Sequence, residues 1–458
     1  MFILLFFYVI VCFLLILLWQ KRRLLSYSWS IDGPLSIPVF GNPFIIFGDV
    51  LNKMLFHSRK YQPICKFWVA GKLIFWVSRP KYVEIILNKC LEKEESYKFL
   101  EIVLGPGLFT NPVNKWKKHR QVIESILDEG LIGNFTQVLN DYSDILLKKL
   151  EGKFEDQYVD ILPIVTQFSL DILFSTILGT KVNALNEETK IVVGVRDLID
   201  SIIARCFNVM LRPNCFWKCL YLSHKSEELD RRINQYFKTV LKNKRCKGFG
   251  SSKSRKVFMD FLLDITDENW TDDELLAEIR TLIITGADAL ATSTSFCLVM
   301  LAMHPEIQGQ VYKEIGTCQN VYLECVINET LRLFPVYSFI GRELDMDVVL
   351  GKRTLPKGSS VVIPLFDLQR NPKFWPQPLK FKPDRFLSTK RVFYPFSVGP
   401  RQCLGREFAI AAMKILLSRL LHTFQITETP YKSIPDIKIP TNVVTRSVQG
   451  CPIKLQHR

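Results

Sequence analysis

Cys403 is the residue of this sequence whose surroundings most clearly predict chemistry. It lies in the run Phe396-Ser-Val-Gly399-Pro-Arg401-Gln-Cys403-Leu-Gly405, where glycines stand on both sides of the cysteine and an arginine precedes it. Glycine permits tight turns and the close approach of a large ligand to the backbone. A helical pattern follows at once, and a thiol before a helix N-terminus and near a cation is expected to have a lowered pKa. The run therefore predicts a thiolate that binds a metal.

This run matches the pattern F-x-x-G-x-R-x-C-x-G and resembles the haem-binding segment of the cytochrome P450 family. The resemblance implies haem b, with the Cys403 thiolate as the axial ligand of its iron, and a thiolate ligand favours cleavage of the O–O bond. It also assigns cofactor contacts to Phe396, Arg401 and Gly405. Many members of the clan that contains the fatty-acid ω-hydroxylases have a haem-esterifying glutamate where this chain has Thr285, so we expect non-covalent haem.

Glu329 and Arg332 lie three residues apart and are expected on one face of a helix. Such a pair alone is a weak signal, because most are exposed salt bridges. A Phe-Lys-Pro-Asp-Arg-Phe run that contains Arg385 follows, and the two blocks are similar to the E-x-x-R and F-x-P-x-R-F segments of the same family. The resemblance implies a structural ion-pair triad of Glu329, Arg332 and Arg385 behind the haem.

Trp116 and Arg120 are four residues apart, so an indole N–H and a guanidinium are predicted on one helix face. Both groups could reach one anion, and arginine binds carboxylates through two parallel hydrogen bonds. The pair resembles the W-x-x-x-R helix of cytochrome P450 proteins. The resemblance implies that Trp116, Arg120, Arg342 and Arg401 bind the haem propionates.

A long helix is predicted to carry the residues on the opposite side of the haem. In most monooxygenases of the family this helix has an acid followed by threonine, and the resemblance implies that Asp288 is the acid. Ala289 replaces the threonine. Thr292 lies one turn further on and could assist only if the helix is distorted there. We expect Asp288 and Thr292 to be the catalytic residues, and we hypothesise that an ordered water or a substrate hydroxyl replaces the missing group.

This long helix begins at a capping box, Thr271-Asp-Asp-Glu274, and continues to Pro305. Its roughly 33 residues span about 50 Å. The segment is apolar on all sides, which indicates a buried helix. A second membrane span is the alternative interpretation, although the polar residues near its middle favour a buried functional helix.

The remaining elements predict a mainly helical protein with small β-sheets, of the α+β class. A helical period dominates from about Lys115 to Pro305. A hairpin is expected at 66–78, and further strands near 348–354 and 359–365. The resemblance implies the cytochrome P450 fold.

The amino terminus predicts a single transmembrane helix. Residues 1–19 carry no charge, span about 28 Å as a helix, and are followed by three basic residues. We therefore assign residues 1–20 to a signal anchor in the endoplasmic reticulum membrane and 21–45 to a basic, Pro/Gly-rich hinge. Residues 46–458 form the predicted catalytic domain, which the basic residues place on the cytosolic side.

The net charge of +15 over 458 residues indicates acidic partners, either anionic membrane lipid or an acidic protein surface. No nucleic-acid-binding motif is present, so no nucleic acid partner is expected. The twelve cysteines include no C-x-x-C pair and favour reduced thiols in the cytosol. Lys117 and Lys118 have two interpretations, a solvated basic face or a docking surface for an acidic reductase.

The leading interpretation is a membrane-anchored haem-thiolate monooxygenase that inserts one atom of O2 into a hydrophobic small molecule such as a lipid, terpenoid or xenobiotic. The resemblance implies electrons from NADPH through NADPH–cytochrome P450 reductase, with cytochrome b5 as a further partner. The run from Gly107 to Trp116 is most similar to the clan that contains the fatty-acid ω-hydroxylases. Two alternatives remain: an isomerase or dehydratase of this fold that acts on a peroxide, and a haem-containing binding protein with little turnover.

Four segments are candidates for the substrate pocket: 97–114, 201–222, 287–290 and 336–340. Their large apolar residues are consistent with an apolar cavity and equally with ordinary core packing. These residues are Phe207, Phe216, Trp217, Leu290, Tyr337 and Phe339.

Overall fold

The structure is a computed structural model that describes residues 2–37, 41–42, 50–69, 71–127, 133–151, 157–186, 202, 205, 212–246, 256–266, 270–315, 320–388, 392–440 and 443–458. The α-helices of the described residues are α1 (Phe2–Trp29), α2 (Val50–Lys60), α3 (Pro80–Lys89), α4 (Glu101–Leu104), α5 (Val113–Ile126), α6 (Thr136–Leu150), α7 (Ile161–Leu173), α8 (Asn214–Lys218), α9 (Tyr221–Cys246), α10 (Phe258–Thr266), α11 (Asp272–Met303), α12 (Pro305–Glu314), α13 (Val321–Leu333), α14 (Leu365–Leu368) and α15 (Arg406–Thr423). The strands are β1 (Ile64–Val69), β2 (Lys72–Val77), β3 (Val159–Asp160), β4 (Phe339–Glu343), β5 (Val348–Leu350), β6 (Arg353–Leu355), β7 (Ser360–Pro364), β8 (Phe424–Glu428) and β9 (Pro452–His457).

The described strands form small sheets beside the helical body. The largest has the order β1-β2-β7-β4, in which β2 and β7 are parallel and the other neighbours are antiparallel. A second sheet has the order β3-β9-β8, and β5 pairs with β6. The predicted hairpin at 66–78 is confirmed as β1 and β2, with a turn through Gly71 at φ +74°. The strands predicted near 348–354 and 359–365 are confirmed as β5, β6 and β7.

Helix α11 is the central element, as the sequence predicts. The Thr271 hydroxyl accepts from the Glu274 amide over 3.3 Å, and the Glu274 carboxylate accepts from the Thr271 amide over 3.0 Å. The helix ends at Met303, because Pro305 cannot continue it and instead opens α12. Side chains on all its faces are buried, which supports the buried helix over a second membrane span.

The main hydrophobic core surrounds α11 and is formed with α5, α6, α7, α13 and α15. A second core lies between the four-stranded sheet and α3. Among the described residues, three helices are long and apolar enough to cross a membrane: α1, α11 and α7 with its π-helical extension to Leu178. Most of α7 and α11 is buried in the protein, whereas the apolar part of α1 is not buried. The helical body with small sheets agrees with the predicted class, and α1 is the segment suited to a membrane.

Helix α1 continues into the segment that the sequence analysis assigns to the hinge. Its last turns contact the catalytic body: Arg23 forms an ion pair of 2.7 Å with Asp347, and the Lys66 ammonium donates to the Ser28 carbonyl over 2.6 Å. Leu25 packs against the second core. The predicted boundaries at residues 20 and 45 stay predictions, but the helix itself crosses the first of them.

Candidate functional site

Cys403 ends a loop whose backbone folds back on itself, here called the cysteine loop (residues 396–403). The Cys403 amide donates to the Phe396 carbonyl, and the Gln402 amide donates to the Gly399 carbonyl, each over 2.9 Å. Gly399 has φ +82°, and a Cβ there would approach the Leu87 carbonyl oxygen to 2.7 Å. Only glycine fits this position without displacing the backbone. Cys403 is therefore presented by a closed and tightly packed turn just before α15.

The Cys403 side chain retains accessible surface although it lies deep among protein atoms. Burial raises the pKa of the thiol, while the Gly405 amide, Arg120 and Arg406 act in the opposite direction. The expectation of a lowered pKa is therefore wrong for the free thiol, because the sequence showed the helix and the cations but not the depth. A metal ion deprotonates a thiol that coordinates it, so this accessible thiol suits a metal ligand.

Three cationic side chains lie together at the cysteine loop: Arg401, which belongs to the loop, and Lys93 and Arg342. Lys93 and Arg342 face each other in an isolated β-bridge. The Lys93 ammonium lies 4.6 Å from the ring centres of both Tyr97 and Phe109. Burial, and then Arg342 and Arg401, hold the pKa of Lys93 well below its usual value. Within the described residues, none of the three forms an ion pair with a carboxylate.

This cluster fits a bound anion. The Arg342 Nε is buried and has no hydrogen-bond partner among the described residues. Burial and the neighbouring cations also lower the pKa of Arg401. Buried cations without carboxylate partners are costly unless an anion compensates them. The two propionate groups of haem would do so, and the accessible thiol of Cys403 lies in the adjoining loop. The residues present therefore fit haem.

Arg401 also fixes the cysteine loop to the preceding part of the chain. Its guanidinium donates to the carbonyls of Leu91, Leu108 and Asn111 over 3.1, 3.2 and 2.9 Å. Its carbon Cζ lies 4.2 Å from the ring centre of the buried Trp116. Three of its five N–H groups are thus used by the backbone, and the remaining donors are those available to a propionate.

Arg120 is placed differently from the prediction that pairs it with Trp116 on one anion. Its Nη1 donates to the Gln402 carbonyl over 2.8 Å, directly before Cys403, and its Nη2 forms an ion pair of 3.2 Å with Glu124. Arg120 therefore supports the cysteine loop from α5. A propionate contact by Trp116 or Arg120 stays a prediction.

The predicted triad is present as a buried network. Glu329 accepts from Arg332 Nε over 2.7 Å and from Arg385 Nε over 3.0 Å. The side chains of Glu329, Arg332 and Arg385 are 0%, 0% and 7% exposed. The carboxylate and both guanidinium groups are therefore removed from water. Removing one partner from such a network leaves a buried charge unpaired, which costs about 3–5 kcal/mol.

Gln369 connects this triad to the cysteine loop. Its carbonyl oxygen accepts from Arg332 Nη1 over 2.8 Å, and its side-chain oxygen accepts from the Tyr394 amide over 3.0 Å. Its side-chain nitrogen donates to the carbonyls of Leu331 and Arg332. One residue thus transmits the fixed position of the triad to the segment that enters the cysteine loop.

Asp288 and Tyr337 lie on the other side of the site. The Asp288 carboxylate forms an ion pair of 2.9 Å with Arg446. Burial raises the pKa of Tyr337, and the charges of Asp288 and Cys403 add to this effect, so the phenol lies near both groups. The Thr292 hydroxyl is buried without a hydrogen-bond partner among the described residues, and it does not bond to Asp288. The catalytic roles of Asp288 and Thr292 stay predictions.

The aromatic pocket candidates separate into different environments. Phe339 lies in a core cluster, where its ring centre is 5.2 Å from that of Trp76 beside the four-stranded sheet, so core packing is the interpretation that fits it. Phe216 is 55% exposed. Phe207 lies outside the described residues. Tyr337 remains as a pocket candidate beside Asp288.

The sequence pattern did not predict that Lys93 and Arg446 contribute to the site, or that Gln369 links the triad to the cysteine loop. Lys93 and Arg446 belong to no fixed motif, and each reaches the site through pairing with residues far away in the sequence. Gln369 follows the short helix α14, and its side chain bonds to residues 25 to 38 positions away in the sequence. Tertiary pairing, rather than local pattern, assembles these contacts.

Comparisons with known proteins agree with this geometry. A family model described as "Cytochrome P450" matches residues 31–451. "Probable cytochrome P450 4s3" of Drosophila melanogaster is 27% identical over 95% of this chain and 93% of its own length. "Cytochrome P450 4V2" of Homo sapiens is 28% identical over 95% and 93%, and "Cytochrome P450 4c21" of Blattella germanica is 29% identical over 89% of each.

These relatives confirm the predicted similarity to the clan that contains the fatty-acid ω-hydroxylases. The family model covers most of the chain, and the relatives match along nearly their whole length. The chain therefore belongs to the cytochrome P450 family, the monooxygenases that hold haem b through a cysteine thiolate.

Proposed function

We propose that this protein is a membrane-anchored monooxygenase that inserts one atom of O2 into a hydrophobic small molecule and receives electrons from NADPH through a separate reductase. The observation that carries the proposal is the accessible Cys403 thiol near three cations that form no ion pair with a carboxylate of the described residues. Bound haem supplies the oxidation chemistry, which its thiolate ligand directs toward O–O cleavage. Haem binds non-covalently, because Thr285 offers no carboxylate.

The residues of the chain position that chemistry. The triad and Gln369 hold the cysteine loop from behind, and Arg120 holds it at the Gln402 carbonyl. Lys93, together with Arg342 and Arg401, neutralises the propionates. Apolar side chains around Tyr337 exclude water, and the Asp288 carboxylate can receive and release a proton at Oδ.

The catalytic domain is proposed to lie on the cytosolic face of the endoplasmic reticulum, held by α1. The apolar part of α1 is unburied, and Lys21, Arg22 and Arg23 follow it, a distribution that retains the following domain in the cytosol.

Lys117 and Lys118 are the proposed docking point for the acidic reductase, with cytochrome b5 as a second donor at the same face. Both lysines are exposed on α5, whose Arg120 touches the carbonyl before Cys403. Replacing both with glutamate should raise the KM for reductase roughly 10-fold at low salt, because like charges reduce the rate of encounter. Reductase-driven turnover measures the effect. Spectral binding of substrate should stay the same, and an unchanged KM would assign the lysines to a solvated face.

A second candidate is an isomerase or dehydratase that acts on a peroxide, which Ala289 favours because such a reaction requires no proton delivery to O2. Purified protein in lipid vesicles should be tested with a panel of fatty acids, terpenoids and xenobiotics, with NADPH and reductase, and separately with a lipid hydroperoxide alone. Oxygenated product only in the first arm supports the monooxygenase. Turnover of the hydroperoxide alone supports the second candidate, and ligand binding without turnover would indicate a binding protein.

The Cys403→Ser variant is the control for the central assignment. The reduced carbon monoxide complex of the wild type should show the long-wavelength Soret band of thiolate ligation, and the variant should not. A wild-type complex without that band would remove the proposal.

A further inference from the structure

The Asp288 carboxylate is held by Arg446, a residue 158 positions away in sequence. The Arg446 Nη2 donates to Asp288 Oδ1 over 2.9 Å, and the two side chains are only 15% and 16% exposed. A guanidinium donates along fixed directions, so a half-buried pair of this kind restricts the carboxylate to one orientation. The acid of α11 is therefore not free to rotate in the pocket.

The segment that carries Arg446 is itself fixed. The Thr445 amide donates to the Val336 carbonyl, and the Ser338 amide donates to the Val443 carbonyl, each over 2.8 Å. The Thr445 hydroxyl donates to the Pro335 carbonyl over 2.5 Å. Arg446 thus directly follows residues whose backbone is hydrogen-bonded to 336–338 in the manner of paired strands.

The same segment covers the position where the helix hydroxyl is missing. Ala289 packs against the pair formed by Val336 and Val444. The hydroxyls one turn away on either side do not substitute for it, because Thr285 donates to the Thr281 carbonyl over 2.6 Å and the Thr292 hydroxyl has no hydrogen-bond partner among the described residues. Among the described residues, Arg446 is the group seen to orient Asp288.

We propose that Arg446 is a positioning residue that fixes the Asp288 carboxylate beside Tyr337 and so takes over the orienting part of the role of the helix hydroxyl that Ala289 lacks. The inference rests on the proposed monooxygenase function. In that reaction, a substrate C–H, O2, two electrons and two protons give an alcohol and one water. If the O–O bond is not cleaved, the same two electrons and two protons leave as H2O2. A carboxylate held in place delivers protons productively, and a released one favours H2O2.

The test compares Arg446→Met, Arg446→Lys, Asp288→Asn and the double variant Asp288→Asn/Arg446→Met in reductase-reconstituted protein. The primary readout is H2O2 released per NADPH consumed, measured without substrate and with dodecanoic acid as the probe, over a range of pH. Arg446→Met should raise this ratio severalfold with the probe present, toward its stoichiometric limit of one H2O2 per NADPH, and Arg446→Lys should recover part of the loss. Arg446→Met should add nothing in the Asp288→Asn background, because the group it positions is already gone.

The second readout is the thermal unfolding midpoint of the haem-loaded wild type, Arg446→Met, Asp288→Asn and the double variant, which does not depend on turnover. Coupled, non-additive midpoints confirm the ion pair, and additive midpoints would overturn it. The matched control is Lys244→Met, which removes an ion pair of 2.7 Å with similar exposure, 24% and 21%, between α9 and α10. It should lower the midpoint without changing H2O2 per NADPH.

If Arg446→Met and the Lys244→Met control release the same H2O2 per NADPH, the ion pair is only a structural contact and the positioning role is refuted. The positioning role is also refuted if the double variant changes H2O2 per NADPH by the product of the two single-variant effects, because the two residues would then act independently. If the wild type forms no oxygenated product from any compound, the proposed function fails, yet the midpoint cycle and the substrate-free H2O2 ratio still decide the role of Arg446.

Discussion

Lys93 lies next to two arginines, and its surroundings oppose a positive charge on its ammonium group. Burial is the largest cause of its lowered pKa, followed by Arg342 and Arg401. Its contacts with the faces of Tyr97 and Phe109 compensate only part of the cost, since a cation over an aromatic ring gains about 0.5–2 kcal/mol. A bound propionate supplies the missing compensation, so Lys93 is expected to contribute to haem retention.

Replacing Lys93 with methionine should therefore weaken haem binding. The side chain keeps its packing but loses one charge-assisted hydrogen bond, which is worth about 1.5–3 kcal/mol, or roughly 10-fold or more in the rate of haem loss. Haem transfer to an excess of apomyoglobin measures that rate. Lys98→Met is the control, because Lys98 is exposed on the neighbouring 3-10 helix. Equal rates for Lys93→Met and wild type would show that the anion is bound by the two arginines alone.

The residues of the site differ in how far the sequence could predict them. Cys403 and Glu329 were found because their neighbours along the chain form recognisable patterns. The thiol pKa was predicted with the wrong sign, since its largest cause is burial, which depends on the whole fold. Lys93 and Arg446 carry no local signal at all. Each acquires its function from a partner more than 100 positions away, Arg342 or Asp288, which only the folded chain brings into contact.

At the scale of elements, the start of α11 depends on one carboxylate. Glu274 accepts from the Thr271 amide and forms an ion pair of 2.8 Å with Lys115, which joins the start of α11 to α5. These contacts lower the pKa of Glu274 to about 2, with the Lys115 hydrogen bond as the largest cause. Such a capping box was predictable because all its groups lie within one turn, whereas the contact with α5 was not.

Glu274→Gln should lower stability by about 1 kcal/mol at neutral pH, a modest value because the carboxylate is partly solvated. The folded pKa lies below the ordinary value of 4.5, so the contribution is complete above that value and disappears as pH falls toward about 2. Thermal midpoints from pH 7 to pH 3 measure the difference. Asp273→Asn is the control in the same turn, since its side chain is 83% exposed. A difference that grows on acidification would contradict the assignment.

At the scale of the whole molecule, α1 is both the proposed anchor and a part of the folded body. Hydropathy predicted the span, because an uncharged apolar run of this length matches the thickness of the hydrocarbon core of a bilayer. The attachment of its last turns was not predictable, since Leu24 and Leu25 meet side chains from β-strands much later in the chain. The Pro/Gly composition after residue 30 suggested a hinge, yet Arg353 forms an ion pair of 3.0 Å with Asp32 in that region.

Two truncations separate the anchoring and the structural contributions of α1. Removal of residues 2–20 should abolish sedimentation with lipid vesicles but leave the thermal midpoint of the haem domain unchanged, because the Arg23 ion pair and the leucine contacts survive. Removal of residues 2–29 should also lower the midpoint, corresponding to roughly 2 kcal/mol for the loss of two partly buried leucines and the Ser28 contact. Equal midpoints for the two truncated proteins would mean that the end of α1 does not dock on the sheet in solution. The domain would then be connected to the membrane through a segment that is not docked on the sheet, in the place where the sequence predicts the hinge of residues 21–45.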